Sequence, residues 1–556
     1  MSDEIERGKV VPFWQIWANP IVRRYARSRL RPVGAFSSLL VFLMIAGFIF
    51  FLARQASMSR GGMEIVDAAR TPILPLLVLQ GIILFMLGTG QVAGAMTAEA
   101  DEGVLEYQRL APMTPLAKVT GYLFGLPVRE WVIFWATMPF SIFSMWQGQV
   151  PLGIALQLYL VFIGAGILYH LTGLLAGTVM KNRRWAFLGS IGLIFVLYTI
   201  LPQIAKFGLV YLKYLTIRPV VEEFFPFLIE RRAGSLVETL QELAPTARFF
   251  GMNLPQSAFT LLSQGVLILV MMTMLWRRWR RNESHLLGKV GAVGFFAWVQ
   301  VALLGNALPL IESGELFPSR EFGRRFGRFT GTNEYNWQPE EWEIFMMIGA
   351  FGLVSLMLIW AMSFLIIPDE EGQVRGWRRA RKLGRDELSP LSDPATATPW
   401  VLAMVAIGSV GWFIFARDLV NSRWFPEFVL SPSTPIALTM VLFTGGILVQ
   451  AILETKGRKF TALFILLGGV LPLMLGMIVG MKDELLPASV WLIGVSPASW
   501  AMYASQVAVP IDDMPRDVVR GIPLAFWFWQ GLALLLCFWM LNLLRVTRKT
   551  IADKTK

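Results

Sequence analysis

The sequence predicts an all-α fold, that of a polytopic helical membrane protein. Of its 556 residues, 55% are hydrophobic and only 16% are charged, and the mean hydropathy is +0.56. A soluble fold of this length cannot hide so much apolar surface, so lipid has to act as its solvent. The 40 Phe and 21 Trp agree with this setting, because aromatic rings fill helix packing and Trp anchors at the lipid headgroups.

Apolar runs along the chain predict about twelve transmembrane helices, since a span needs about 20 apolar residues to cross the hydrocarbon core. The first half gives Val33 to Ala53, Pro72 to Met96, Val119 to Phe143, Leu152 to Met180, Trp185 to Leu201 and Ala258 to Trp276. The second half gives Val290 to Leu310, Ile344 to Ile367, Trp400 to Ala416, Ile436 to Leu453, Phe460 to Met481 and Ile522 to Leu544.

Lys and Arg cluster at alternate connections, and basic residues close to span ends resist translocation. The clusters lie at Arg23 to Arg31, Lys181 to Arg184, Arg277 to Arg281, Arg375 to Arg385, Lys456 to Lys459 and Arg545 to Lys549. We therefore expect a multi-pass protein of the cytoplasmic (inner) membrane with both termini in the cytoplasm. An outer stretch with Arg320 and Arg328 disagrees, but long connections follow this rule poorly. The net charge of +12 follows from these clusters, so we expect no nucleic-acid partner.

The order of spans and connections repeats once along the chain. In each half two spans precede a cytoplasmic connection, Thr97 to Lys118 or Pro368 to Pro399. We therefore predict two domains, residues 1–285 and 286–556, as parallel six-helix halves related by an axis normal to the membrane. The alternative is coincidence, since any chain with an even number of spans alternates its loops.

The connection after the second span carries the most informative motif. It is acidic at Glu99, Asp101, Glu102 and Glu106, apolar at Val104, Leu105 and Leu110, and closed by Pro112 and Pro115. Because proline cannot continue a helix, the pattern predicts a short helix at the cytoplasmic surface. Anionic lipid repels acidic side chains, so a protein partner explains them better than membrane anchoring does.

The run Glu102-Gly103-Val104-Leu105-Glu106, followed by Leu110 to Pro115 and Lys118, resembles the same connection in ABC transporter permeases of the type-2 exporter class. The upstream segment Asn19 to Arg29 is similar to the amphipathic interface helix of that family. The resemblance covers roughly the first 120 residues. It implies the permease subunit of an exporter, which is itself not an enzyme and holds no cofactor, beside a separate ATPase subunit in two copies.

The same resemblance assigns roles to residues of this chain. The ATPase-coupling helix, which docks into a cleft of the ATPase, would comprise Glu99, Asp101, Glu102, Gly103, Val104, Leu105, Glu106, Leu110 and Pro112. The interface helix would present Arg23, Arg24 and Arg27. A second coupling segment would begin at Asp369, Glu370, Glu371 and Gly372, but this loop turns strongly basic up to Arg385, so a solvated positive-inside loop is the alternative.

Other chemistry has few residues to carry it. No phosphate loop of the form GxxxxGK[ST] occurs, and two histidines and one cysteine leave a metal site without ligands. His170 in the fourth span is either a pathway group or a buried contact between helices. Arg129 and Glu130 in the third span either line a pathway or lock a helix to its neighbour, and we favour the lock.

Two other classes of function compete with the exporter. A secondary transporter with two six-span halves needs acidic groups or histidines near the midplane, and the spans offer few. A membrane-embedded enzyme needs clustered carboxylates, for which the acidic group at Glu99 to Glu106 is the candidate. Near the end of the chain, Leu486 to Pro510 is apolar but interrupted by prolines, which favours a re-entrant pair of short helices over an interfacial loop.

Overall fold

The computed structural model describes residues 12–59, 64–228, 246–281, 283–320, 337–385, 387–509 and 516–555. These residues are predominantly helical and include one hairpin of two short strands, β1 (Ala247–Phe249) and β2 (Met252–Leu254). Ten of the described helices are long and apolar enough to cross a membrane. The chain is therefore an all-α polytopic helical protein of the membrane, as its composition predicts.

The helices are numbered in chain order, and those of membrane length are α2, α3, α7, α8, α10, α11, α12, α14, α15 and α18. Their bounds are α1 (Pro20–Arg29), α2 (Pro32–Met58), α3 (Ile65–Asp101), α4 (Val104–Leu110), α5 (Pro115–Gly125), α6 (Val128–Gln147), α7 (Leu152–Val179), α8 (Arg183–Ala205), α9 (Arg218–Leu228), α10 (Gln256–Arg280), α11 (Lys289–Ser313), α12 (Glu341–Ile366), α13 (Glu370–Lys382), α14 (Thr398–Val420), α15 (Thr434–Val479), α16 (Leu486–Gly494), α17 (Trp500–Ala508) and α18 (Arg516–Lys554).

The predicted third span, Val119 to Phe143, is two helices rather than one. Helix α5 ends at Gly125, and α6 begins after Pro127. Proline has no backbone N–H to donate, and Pro127 itself leaves helical geometry, with φ −94° and ψ 25°, so the helix breaks at this point. Neither piece is among the ten membrane-length helices.

The predicted tenth and eleventh spans lie in one stretch of helix, the 46-residue α15. Its helical path is interrupted at Gly457, where φ is 82° and ψ is 178°. Residues with a side chain avoid this conformation, and glycine adopts it at little cost. The other predicted spans each coincide with one long helix.

Helix α2 shows why lipid is needed as a solvent. It buries only Ala46, Phe50 and Ser57, while Phe36, Phe48 and Phe51 are 66–67% exposed. Exposed rings of this size are costly in water but favourable in a hydrocarbon layer.

The described residues form two compact units. Unit 1 comprises those of Met1–Pro202, Lys213–Ala247 and Asn253–Asn282, and unit 2 those of Gln203–Leu212, Arg248–Met252 and Glu283–Lys556. The core of unit 1 includes a group of packed aromatic rings, with those of Phe134 and Phe162 stacked at 5.6 Å and Phe85 against Phe162 at 4.4 Å.

Unit 2 contains the helical hairpin α16–α17 within the predicted re-entrant segment. Its turn is closed by Trp500 Nε1, which donates to the Gly494 carbonyl at 2.8 Å, and by Tyr503 Oη, which donates to Val490 at 2.7 Å. The hairpin packs closely on α12, because a Cβ on Gly349 would lie 2.2 Å from Sδ of Met502. Small residues at these contacts let helix backbones approach each other.

Gly352 of α12 makes the tightest contact of this kind with Trp412 of α14. A Cβ there would lie 2.1 Å from the indole, which is fully buried and held by its Nε1 bond to the Ile348 carbonyl at 2.7 Å. We expect Gly352→Ala to destabilise the chain by about 1–3 kcal/mol, because the anchored ring cannot move aside. The midpoint of thermal unfolding in detergent, followed by tryptophan fluorescence, measures the effect.

Gly531→Ala in α18 is the matched control, since a Cβ there meets no atom within 4 Å. It should leave the midpoint unchanged or raise it slightly. Equal shifts in both variants would contradict the close contact between α12 and α14.

Candidate functional site

The predicted short helix is α4, which follows the end of α3 after a sharp reversal of the chain. Helix α3 runs to Asp101, and Gly103 then adopts a left-handed conformation with φ 72°. Glycine makes this reversal without strain. After Leu110 the chain turns through Pro112, and Thr114 caps α5 by accepting a hydrogen bond from the Ala117 backbone N–H at 3.2 Å.

One side of α4 anchors it, and the other side, together with the turn that leads into it, is exposed. Leu105 is buried. Tyr107 is 77% and Leu110 82% exposed. Asp101, Glu102 and Glu106 are exposed as well. We call these five exposed residues, Asp101, Glu102, Glu106, Tyr107 and Leu110, the α4 surface. It combines negative charge with the large side chains of Tyr107 and Leu110, which suits a protein partner that has a complementary positive surface.

The end of α4 is fastened to α5 and α10. Nζ of Lys118 donates to the Arg109 carbonyl at 2.9 Å. The Arg109 guanidinium pairs with Glu106 and lies over the ring of Trp279, 5.9 Å from its centroid. A displacement of α4 therefore moves the helices that hold it.

Glu99 does not belong to the α4 surface, although the motif places it in the coupling helix. It lies buried in the last turn of α3 and accepts hydrogen bonds from Tyr122 Oη at 2.6 Å, from Tyr25 Oη and from Arg24 Nη2 at 2.6 Å. Its carboxylate joins α1, α3 and α5 inside unit 1.

Helix α1 corresponds to the predicted interface helix and lies against α5. Asn19 caps it by accepting from the Ile21 N–H and reaches across to donate to the Ala117 carbonyl at 2.6 Å. Gly121 and Gly125 of α5 face it so closely that a Cβ on either would crowd α1 at 2.8–3.0 Å. The two helices are thus packed at backbone distance.

Tyr25 contributes a buried donor to this contact. Burial raises the pKa of its phenol above the ordinary value, and the hydrogen bond to Glu99 raises it further. The hydroxyl therefore stays protonated and keeps donating. The three arginines assigned to the interface helix, Arg23, Arg24 and Arg27, are all exposed. Arg24 pairs with Glu99, and Arg23 donates to the Trp17 carbonyl at 3.0 Å.

The second predicted coupling segment is the N-terminus of α13 in unit 2. Asp369 caps the helix by accepting from the Gly372 N–H at 2.8 Å, and Glu371 pairs with Arg375. Glu370 is exposed. The segment is thus an amphipathic helix rather than an open loop. Asp369 and Glu371 stabilise this helix itself.

The charged pair in the third predicted span lies at the start of α6. Arg129 Nη2 donates to Glu130 Oε1 at 2.9 Å, so the two neighbours pair with each other although their Cα–Cβ bonds point apart. Glu130 is buried, and its Oε2 has no hydrogen-bond partner among the described residues.

His170 lies at the contact of α3 and α7, where α3 contains a π-helical segment, Ile82–Gly88. Its Nε2 is 2.9 Å from the Leu84 carbonyl, which only accepts, so Nε2 carries the proton. A Cβ on Gly88 would lie 2.5 Å from that nitrogen. The imidazole fills the widened turn and joins the two helices.

Sequence reasoning missed two buried ionic groups of unit 2. Lys289 at the start of α11 donates through Nζ to the carbonyls of Ser392 at 2.7 Å and Ala395 at 2.8 Å, which fastens the loop before α14. Glu454 is buried in α15 and pairs with Arg548 of α18. Each of them is a single acidic or basic residue at the end of an apolar run, and this position in the sequence could have indicated a buried charge.

Comparisons with protein-family models, with curated proteins and with solved structures give no match to this chain.

Removing the carboxylate of Glu99 should release α1. In Glu99→Ala the buried hydroxyls of Tyr25 and Tyr122 lose their acceptor, at a cost of about 1–3 kcal/mol per unsatisfied group. We expect hydrogen exchange of the α1 backbone to accelerate several-fold, as measured by mass spectrometry of the full chain.

Glu102→Ala, three residues away and exposed, is the matched control and should leave exchange in α1 unchanged. If both variants behave alike, or if exchange rises throughout unit 1 rather than in α1, then Glu99 does not specifically hold α1 in place.

Proposed function

We propose that this chain is the membrane-spanning permease of an ATP-binding cassette exporter, driven by a separate ATPase subunit. The observation that carries the proposal is the α4 surface, which exposes acidic side chains together with Tyr107 and Leu110. The short helix α4 beneath it is held by contacts to α3, α5 and α10. A partner that grips α4 can act on the membrane helices through those contacts.

Two contacts make α4 suited to transmit motion. Gly103 joins it directly to α3, and Lys118 ties its end to α5 through the Arg109 carbonyl. Both α3 and α5 are joined again by Glu99. A push on Tyr107 or Leu110 therefore reaches two helices together instead of being absorbed by a loose loop.

As such a permease, the chain would cross the inner membrane twelve times, in two parallel six-helix halves. Both termini and the α4 surface would lie on the cytoplasmic side. The break at Gly457 supports counting α15 as two spans, and α5 with α6 as an interrupted third span. The basic residues at the ends of α10 and α18 support the orientation.

Purification from the native membrane after cross-linking tests the proposal. We expect an ATPase dimer to co-purify, with cross-links from Tyr107 or Glu106 to the ATPase. Transport that persists on a proton gradient with ATP depleted would instead favour a secondary transporter.

Leu110→Ala should weaken ATPase association about tenfold, since burial of a leucine side chain contributes about 1.5 kcal/mol or more. The amount of ATPase retained through a wash series measures the loss. The matched control is Leu152→Ala, 73% exposed at the start of α7, at the opposite end of unit 1. Equal retention in the two variants would remove α4 from the contact.

A further inference from the structure

Three arginines from three helices of unit 1 gather at the end that carries α4. They are Arg29 of α1, Arg129 of α6 and Arg183 of α8. Burial lowers the pKa of the Arg29 guanidinium, and although Glu130 raises it, the nearby charges of Arg129 and Arg183 lower it again. Since Glu130 pairs with Arg129 and also lies near Arg29, one carboxylate faces two of the three guanidinium groups, and positive charge remains in excess.

A cavity of about 500 Å³ opens beside this charge, between α3 and α8. Its lining includes Gln91 and Gly94 of α3 and Arg183, Arg184, Phe187 and Leu188 of α8. Gln91 connects the cavity to the arginine group: with its amide oxygen turned to accept, it takes a hydrogen bond from Arg29 Nη2 at 2.9 Å.

The polar and apolar parts of the cavity are separated along α8. Arg183 and Arg184 are the first two residues of the helix, and both are exposed. Phe187 and Leu188 lie four residues further on, one turn deeper along the same face. Leu188 is 56% exposed, so the apolar end of the cavity is continuous with the side of α8 that faces hydrocarbon.

The start of α8 also fits the level of the lipid headgroups. Asn182 caps the helix by accepting from the backbone N–H of Arg184 at 2.9 Å, which keeps this first turn ordered. Trp185 beside it is 66% exposed, and tryptophan favours the boundary between headgroups and acyl chains. Basic pockets between membrane helices at this level suit anionic headgroups.

We propose that this cavity binds an anionic phospholipid, with its phosphate between Arg183 and Arg184 and its acyl chain along Phe187 and Leu188. The guanidinium fork matches a phosphate group through paired hydrogen bonds. A free phosphate has the same headgroup chemistry but leaves the apolar half of the cavity unused, so the lipid is the occupant that the lining favours.

Native mass spectrometry of the full chain tests the site. The protein is reconstituted in nanodiscs of phosphatidylcholine with a minor fraction of phosphatidylglycerol, and the retained lipids are counted. We expect wild type to retain phosphatidylglycerol in preference to phosphatidylcholine. In Arg183→Ala/Arg184→Ala this preference should fall at least about tenfold, because two interfacial charges are removed. Arg183→Lys/Arg184→Lys keeps the charge but loses the guanidinium fork, so it should keep only part of the preference; it also covers failure of the alanine pair to fold.

The matched control is Arg545→Ala/Lys549→Ala, which removes two exposed charges from α18 and should leave retention as in wild type. Equal losses in control and test variants would overturn the site, because general surface attraction would then explain binding. A parallel titration with inorganic phosphate separates the two sources. If phosphate alone stabilises wild type and phosphatidylglycerol is not retained, the lipid proposal is wrong.

Discussion

The carboxylate of Glu99 is the interaction on which the α4 end of unit 1 depends. Three helices that are far apart in sequence, α1, α3 and α5, meet because this one group accepts hydrogen bonds from Tyr25, Tyr122 and Arg24. A buried charge of this kind is tolerated only when donors surround it, and breaking such a set leaves an uncompensated ion. The position of α1 and the rigidity of the turn into α4 are therefore set together.

Unit 2 solves a similar problem with different residues. Glu454 of α15 is its buried acid, and Arg548 and Gln450 surround it. Lys289 makes a second contact of this kind, because its ammonium donates hydrogen bonds to the Ser392 and Ala395 carbonyls in the loop before α14. Carbonyls at a loop have no intrahelical donor, so a buried lysine that reaches them satisfies both sides. The two units thus use unlike side chains to hold loops against the ends of apolar helices.

Composition and apolar runs were enough to predict the fold class and most of the long helices, because lipid leaves few alternatives to the helix. The short helix α4 was also predictable, since Gly103 and Pro112 mark its ends. The break at Pro127 was missed because apolar residues precede it and resume after Arg129 and Glu130. The direction of Glu99 was missed for another reason: an acidic residue at the end of a helix faces inward or outward according to partners such as Tyr25, which lie far away in sequence. Cavities such as the one beside Arg183 are likewise invisible until α3 and α8 are brought together.

The π-helical segment of α3 has a consequence for everything that follows it along the helix. A turn of this kind holds more residues than an α-helical turn, so the part beyond Gly88 is rotated relative to a continuous α-helix. A shift of one residue corresponds to about 100° around the axis. Without that twist Glu99 would be aimed at another side, and Gly94 would no longer face Arg183. The angular setting of the far end of α3 is thus fixed in mid-helix, where one imidazole occupies the enlarged turn.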